Sequence, residues 1–324
     1  MRIDRPLLKL PIGFDGNRLA QEAAALPADA WMAHPQKFDG NVAVPLVSPG
    51  GAMTDQWAGP MAPTPLLERC PYVMDVMRAL DSTWGRSRLM GLEAGSIVPE
   101  HVDIHYYWRT HLRIHIPVIS GPKVLFHCAG ETVHMAAGEC WLLDSFYRHS
   151  VENRGDELRV HLVLDTVGSE RLWGLIDEAL TGVADGPLIE PGSVAPAALD
   201  FEQVNAPEIM SPWELGTHIS YLLDWVDDEP RLPAIRRILD RLHMVWAGTW
   251  ARHGAGDSGI PDYLRHLRQA DDALAAACRP PVLMRNRWGL LDSLRRYVFA
   301  NAIAPHRLSL QDRMTMTRPV RATA

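Results

Sequence analysis

Between residues 87 and 165, short apolar segments follow one another with turn residues between them. This rhythm narrows the folds open to the chain more than any other feature. The segments run Ser87 to Leu92, His101 to His105, His111 to Ile119, Lys123 to His127, Thr132 to Met135, Cys140 to Leu143 and Leu158 to Asp165. Gly91, Gly95, Gly121-Pro122, Gly130, Gly138 and Gly155-Asp156 punctuate them. Glycine, proline and aspartate supply the backbone angles of tight turns, so the pattern reads as many short strands in quick succession. Such a chain closes into a sandwich or barrel, and a jelly roll is the natural form.

The chain flanking these strands is more helical. Val73, Val76, Met77 and Leu80 recur at three- and four-residue steps, predicting a helix over Pro71 to Leu80 with proline at its first position. A second helix is expected from Glu170 to Leu180, capped by Ser169. Gly182 to Pro196 is rich in Gly, Pro and Ala and reads as a linker. Beyond it the pattern predicts helices over Ser211 to Val226, Leu232 to Ala251, Pro261 to Ala277 and Asn286 to Ala302. Ile235, Ile238, Leu242 and Val245 form the apolar stripe of the second of these. The reading is a β domain over 1–182 and a C-terminal helical domain over 183–324, with the last dozen residues frayed.

Composition excludes some function classes. A formal charge of −7, with acidic residues scattered, argues against nucleic acid, whose affinity comes from clustered Lys and Arg. No apolar run is long enough for a signal peptide or a membrane helix. Cys70, Cys128, Cys140 and Cys278 form no CxxC pair and no zinc spacing, so they read as reduced packing residues of a cytoplasmic protein.

The chemistry concentrates in PEHVDIHYYWRTHLRIHIPV, residues 99 to 118. His101, Asp103, His105, Arg109, His111, Arg113 and His115 all stand at odd positions, whereas Leu112, Ile114, Ile116 and Val118 stand at even ones. In an extended segment alternate side chains share a face, so the odd residues point inward and the even ones pack outward. His101 and Asp103 could then hold one metal from one strand, with His149 supplying a third ligand. Two histidines and a carboxylate on one face of an octahedral iron leave three positions open, as in non-haem Fe(II) oxygenases. On spacing alone, a hydrogen-bonded His–Asp pair at a strand end fits His101 and Asp103 equally well. In Glu157 to Asp165, Arg159, His161 and Asp165 share one face while Leu158, Val160, Leu162 and Leu164 share the other. Arginine on the inner side suits an anion, because its planar fork can clamp a carboxylate through two bonds.

The order HVD, then His149, then Arg159 resembles the Fe(II)/2-oxoglutarate dioxygenases on the double-stranded β-helix, and within them the aspartyl/asparaginyl β-hydroxylase superfamily. YWRTHL, FHCAGETVHMAAGECWLLD and HSVENRGDELRVHLVLD are similar to core strands of its bacterial free L-proline cis-hydroxylases, and RILDRLHMVWA to one of their helices. The resemblance implies a double-stranded β-helix (jelly roll, cupin-like) with a C-terminal helical domain. It implies Fe(II) held by His101, Asp103 and His149, with 2-oxoglutarate and O2 as cosubstrates. Arg159 would take the distal carboxylate of 2-oxoglutarate, supported by Arg113 and His115. His105, Tyr107, Trp108 and Arg109 would meet the substrate, with Arg109 the candidate for its carboxylate or for a salt bridge within the hairpin. Asp103 departs from the peptidyl aspartyl hydroxylases, which lack that ligand, and from related halogenases. LRIHIPV, by contrast, looks like the peptidyl branch. The expected substrate is a free, proline-like amino acid or related small carboxylate. The alternatives are a peptidyl aspartyl/asparaginyl hydroxylase and a non-oxygenase metal-binding cupin-like protein.

Overall fold

The structure is a computed structural model that describes residues 3, 5–33, 38–310 and 312. The C-terminal dozen expected to fray lie outside the described residues. The chain forms two compact units. One contains the described residues through Asp103 together with Thr110–Asn205, and the other contains Ile104–Arg109 and the residues from Ala206 onward.

The first unit is built on strands β1 (Leu7–Phe14), β2 (Met32–Ala33), β3 (Asn41–Pro49), β4 (Met61–Pro63), β5 (Thr83–Leu92), β6 (Ile97–His101) and β7 (Leu112–Ile119). They continue as β8 (Val124–Cys128), β9 (Glu131–Val133), β10 (Glu139–Leu143), β11 (His149–Asn153), β12 (Arg159–Thr166), β13 (Leu188–Ile189) and β14 (Asp200–Phe201). A 10-stranded sheet runs in the order β13-β1-β10-β7-β12-β5-β3-β2, with β14 beside β5 and β4 beside β3. A 4-stranded sheet runs β6-β11-β8-β9. From β5 to β12 the chain passes between the two sheets repeatedly, with β5, β7, β10 and β12 in the large one and β6, β8, β9 and β11 in the small one. That alternation is a double-stranded β-helix.

Each face of the large sheet has its own packing. Outward, Leu112, Ile114, Ile116, Val118, Leu162 and Leu164 join one core with helices α1 (Gly16–Ala24), α2 (Pro71–Leu80) and, beyond the barrel strands, Glu170–Leu180. Inward, Leu7, Leu92 and Leu143 meet Phe126, Cys128 and Val151 of the small sheet in a smaller apolar layer. The even positions of β7 therefore do pack against helices, as alternation demands. The helix over Pro71–Leu80 has its predicted bounds, as does Glu170–Leu180, where the Ser169 hydroxyl accepts from Leu172 N at 3.0 Å. All four cysteines are buried and free.

One local expectation is corrected. The strand expected over His101 to His105 ends at His101, and α3 (Tyr106–Thr110) follows, so the odd residues from 101 to 115 do not share one continuous strand face. His149 opens β11, which is held between β6 and β8.

The remaining helices, counting Glu170–Leu180 as α4, are α5 (Pro212–Leu223), α6 (Leu232–His253), α7 (Ile260–Ala277) and α8 (Leu290–Ser293) of the second unit. On α6 the buried apolar residues are Ile235, Leu239, Leu242 and Trp246, so the stripe is rotated from the expected one and leaves Ile238 and Val245 half-buried. The long helix expected over Asn286 to Ala302 is broken: α8 gives way to a π turn, Leu294–Val298, and a 3-10 turn, Phe299–Asn301. Asn301 Nδ2 donates to Arg296 O at 2.7 Å within that irregular end. No described helix is long and apolar enough to cross a membrane.

Candidate metal centre and anion pocket

His101 and His149 are direct partners across the β6–β11 pair, and their rings lie 4.2 Å apart by centroid. Asp103 stands just past the end of β6, its amide donating to Ser145 O at 3.0 Å. One ligand atom from each of His101, Asp103 and His149 lies within 4.8 Å of the others, a group able to hold a metal ion. The strand break that upsets the simple parity argument is what turns Asp103 toward the two histidines.

The atoms around this group decide which nitrogen and which oxygen face inward. His101 Nδ1 lies 2.8 Å from Pro99 O, and His149 Nδ1 lies 2.8 Å from Tyr147 O. A carbonyl only accepts, so both Nδ1 atoms carry hydrogen and both Nε2 atoms offer lone pairs, the usual tautomer of a metal-ligating histidine. Arg113 Nη1 donates to Asp103 Oδ2 at 2.7 Å, and Oδ1 faces His101 Nε2 at 3.9 Å. One carboxylate oxygen is thus engaged by arginine while the other is directed at the ligand group. Burial pushes the Asp103 carboxyl up, but Arg113, His149 and His101 outweigh it and hold it at about 2. Burial lowers His149 to about 4, against the pull of Asp103. Both groups are therefore in their metal-binding protonation states at neutral pH. The donor set fits a facial two-histidine, one-carboxylate iron site.

Strand register maps the rest of the inner face. One row reads Arg88, Val163, His115, Trp141 across β5, β12, β7 and β10. Asp165 opposite Arg113 lies on one side of that row, and His161 between Met90 and Pro117 on the other. Arg159 begins β12 one further pair along, opposite Leu92. Arg159, His115 and His161 are all buried. Arg159 Nε and Nη2 and both ring nitrogens of His115 and His161 have no hydrogen-bond partner among the described residues. The His115 and His161 rings meet edge-on at 5.8 Å, and Phe126 touches both His115 and His149. Burial first, and Arg159 second, keep both imidazoles neutral, well below their ordinary range. Burial lowers the Arg159 guanidinium to about 9, so it stays charged at neutral pH. A buried cation with open donors loses free energy unless an anion meets it, so an anion at this end of the barrel would be stabilising.

The other residues read from the sequence have partners of their own. His111 is a buried partner of Glu202, at 2.9 Å. His105, Tyr107, Trp108 and Arg109 belong to the helical unit, where Arg109 lies over the Tyr221 ring at 4.7 Å and Tyr107 meets Trp108 edge-on. Two buried groups escaped the sequence reading of the site: Arg86 and Arg88. The same alternation that drew attention to residues 99 to 118 was available in TWGRSRLMGL, where two arginines stand two residues apart between Trp84 and Leu89.

Residues 54–168 match a family model described as Aspartyl/Asparaginyl beta-hydroxylase. The match covers less than half of the chain but contains the triad, Arg113, His115 and Arg159. No curated protein sequence matches. Among solved structures, a prolyl-4-hydroxylase from Pseudomonas putida is 14% identical, covering 52% of this chain and 97% of its own at a TM-score of 0.35. An oxidoreductase of the 2OG-Fe(II) oxygenase family from Burkholderia pseudomallei is 16% identical, covering 48% and 81% at 0.32. A cupin-superfamily sugar phosphate isomerase from Silicibacter pomeroyi is 16% identical, covering 44% and 66% at 0.25. The family match makes the segment that builds the metal group a dioxygenase segment, and the protein an enzyme of that chemical type.

Proposed function

We propose that the protein is an Fe(II)- and 2-oxoglutarate-dependent hydroxylase that acts on an unactivated carbon of a free, proline-like amino acid. The observation that carries the cosubstrate is the buried Arg159 fork, its Nε and Nη2 unpartnered among the described residues, on the large sheet, while His101 and His149 stand on the small sheet. His101 and His149 would bind iron through Nε2 and Asp103 through Oδ1. Arg113, by engaging the second oxygen of Asp103, keeps that ligand one-toothed and coordination positions open. Arg159 would take the distal carboxylate of 2-oxoglutarate, with His115 beside it. Iron bound there supplies the activation of O2. The chain's own part is to orient the cosubstrate and the target C–H bond and to keep water out, which the apolar layer of Phe126, Met135 and Leu143 favours.

An anaerobic titration tests this reading. Adding Fe(II) and 2-oxoglutarate should give a weak visible charge-transfer band, and zinc in place of iron should give none. Absence of the band, with tight zinc binding, would turn the assignment toward a non-oxygenase cupin-like protein. Succinate release with a gain of one oxygen atom in a free amino acid supports the substrate class. Oxygen gained only by peptides would move it to the peptidyl branch.

A further inference from the structure

The inner face of β5 carries a second charged group that the hydroxylase reading does not use. Arg86 Nη1 donates to Asp55 O at 2.9 Å and lies 3.2 Å from its Oδ2, and Arg88 Nη1 bonds Asp55 Oδ1. Arg86 Nε faces Asp165 Oδ2 at 3.7 Å, and Asp165 Oδ1 accepts from Arg113 Nε at 3.0 Å. An unbroken chain of ion pairs therefore leads from the metal ligand Asp103 through Arg113, Asp165 and Arg86 to Asp55 and Arg88. At its far end the two partners differ in exposure. The Arg88 side chain is 4% exposed and its Nε has no partner among the described residues, whereas Asp55 is 20% exposed. Asp55 sits on the irregular connection between β3 and β4, whose base is tied by Asn205 to Gly59 N and Trp57 O.

We infer that the Arg88–Asp55 pair receives the zwitterionic backbone of a free α-amino acid, with Arg88 and Arg86 taking the carboxylate and Asp55 the ammonium. The inference rests on the hydroxylase reading and names the substrate recognition of that same site. Three observations carry it. The open Arg88 Nε gives the guanidinium a free donor beside the one that holds Asp55, which is what a two-toothed carboxylate contact uses. A zwitterion inserts into an existing ion pair without changing the total buried charge, so each fixed charge keeps an opposite partner. Position suits it as well. Arg88 and His115 flank Val163 on successive strands, so they stand about 9–10 Å apart by ordinary strand spacing. Val163, an apolar residue, stands between them in that row. An interior peptide residue carries neither charge and would separate the pair without replacing either partner.

Calorimetric titration of the anaerobic protein loaded with Fe(II) and 2-oxoglutarate tests this. The probes are free L-amino acids, L-proline among them, together with the corresponding amides and N-acetyl derivatives. The wild type should bind at least one free amino acid and lose on the order of 30-fold in affinity when either its carboxylate or its amine is blocked, as truncation of a buried charge partner does. Asp55→Asn should weaken the free amino acid by a similar factor while leaving the 2-oxoglutarate charge-transfer band unchanged. Because Asp55→Asn leaves Arg88 uncompensated, the double variant Asp55→Asn/Arg88→Met serves as the folded control. It should keep the band and lose amino-acid binding. Equal binding of free and blocked forms, unchanged affinity in the double variant, or no free amino acid bound by the wild type would each overturn the inference. Failure of the wild type to give the band would instead overturn the hydroxylase reading, and this inference with it.

Discussion

At the scale of single residues, the site depends on a few polar atoms whose neighbours fix their direction. His101→Ala, Asp103→Ala and His149→Ala should each abolish iron-dependent turnover while circular dichroism stays native. Full activity in any one of them would remove that residue from the metal group. Arg159→Lys keeps the charge but not the fork, and should raise the Michaelis constant for 2-oxoglutarate. Losing a buried charged contact typically costs about 2–5 kcal/mol, and a lysine that keeps one hydrogen bond should sit toward the lower end. An unchanged constant would place the cosubstrate carboxylate elsewhere.

At the scale of elements, the metal group depends on how β11 is tied into the barrel. Asn153, at the end of that strand, is 1% exposed, and its Nδ2 donates to Leu92 O at 2.9 Å, Glu157 O at 2.8 Å and Glu93 O at 3.2 Å. One side chain thereby joins the end of β5, the end of β11 and the approach to β12, the strands that carry Arg88, His149 and Arg159. Asn153→Ala strands these carbonyls in the interior, and chemical denaturation should show a loss of about 2–3 kcal/mol. By comparison, Ser169→Ala removes a single cap on a surface helix and should cost about 1 kcal/mol. A smaller loss for Asn153→Ala than for Ser169→Ala would show that the tie is not structural.

At the scale of the whole molecule, the chain leaves the β unit after Asp103, contributes six residues to the helical unit and returns at Thr110. Tyr106 lies edge-on to His218 at 6.0 Å, and Arg109 covers Tyr221. A fragment ending at Asn205 strips those partners from Tyr106 and Arg109, so it should be cleaved rapidly between 104 and 109 in limited proteolysis and should turn over poorly. Full activity in that fragment would make the helices a separable interaction module. Acid stability is also set globally. His149, His115 and His161 are neutral in the folded protein with lowered pKa values, whereas in the unfolded chain they titrate near the ordinary value of about 6.5. Between about pH 6.5 and 4 the unfolded chain therefore binds more protons, and stability falls as the pH falls. Asp103, depressed to about 2, extends the loss in the same direction at lower pH. Thermal unfolding of the metal-free protein should move to lower temperature from pH 7 to pH 4. A flat or rising profile would contradict the buried neutral imidazoles.

The sequence by itself determined what depends on near neighbours along the chain. Alternation and turn residues marked the jelly roll strands, three- and four-residue periodicity marked the helices over Pro71–Leu80 and Glu170–Leu180, and Ser169 announced its own cap. The grouping of His101, Asp103 and His149 was legible because a metal demands particular atoms in a particular order. The rest was decided by tertiary structure. The turn of Asp103 toward His149 needs the end of β6 beside β11, a pairing that bridges forty-odd intervening residues. Whether a histidine faces the site or a carboxylate such as Glu202 cannot be read from parity alone, because one bend after His101 breaks the phase. The Arg88–Asp55 pair joins residues from different strands and a loop, and no local spacing encodes that contact. Local periodicity fixes which face a side chain takes within one strand; only the register between strands fixes what stands opposite it.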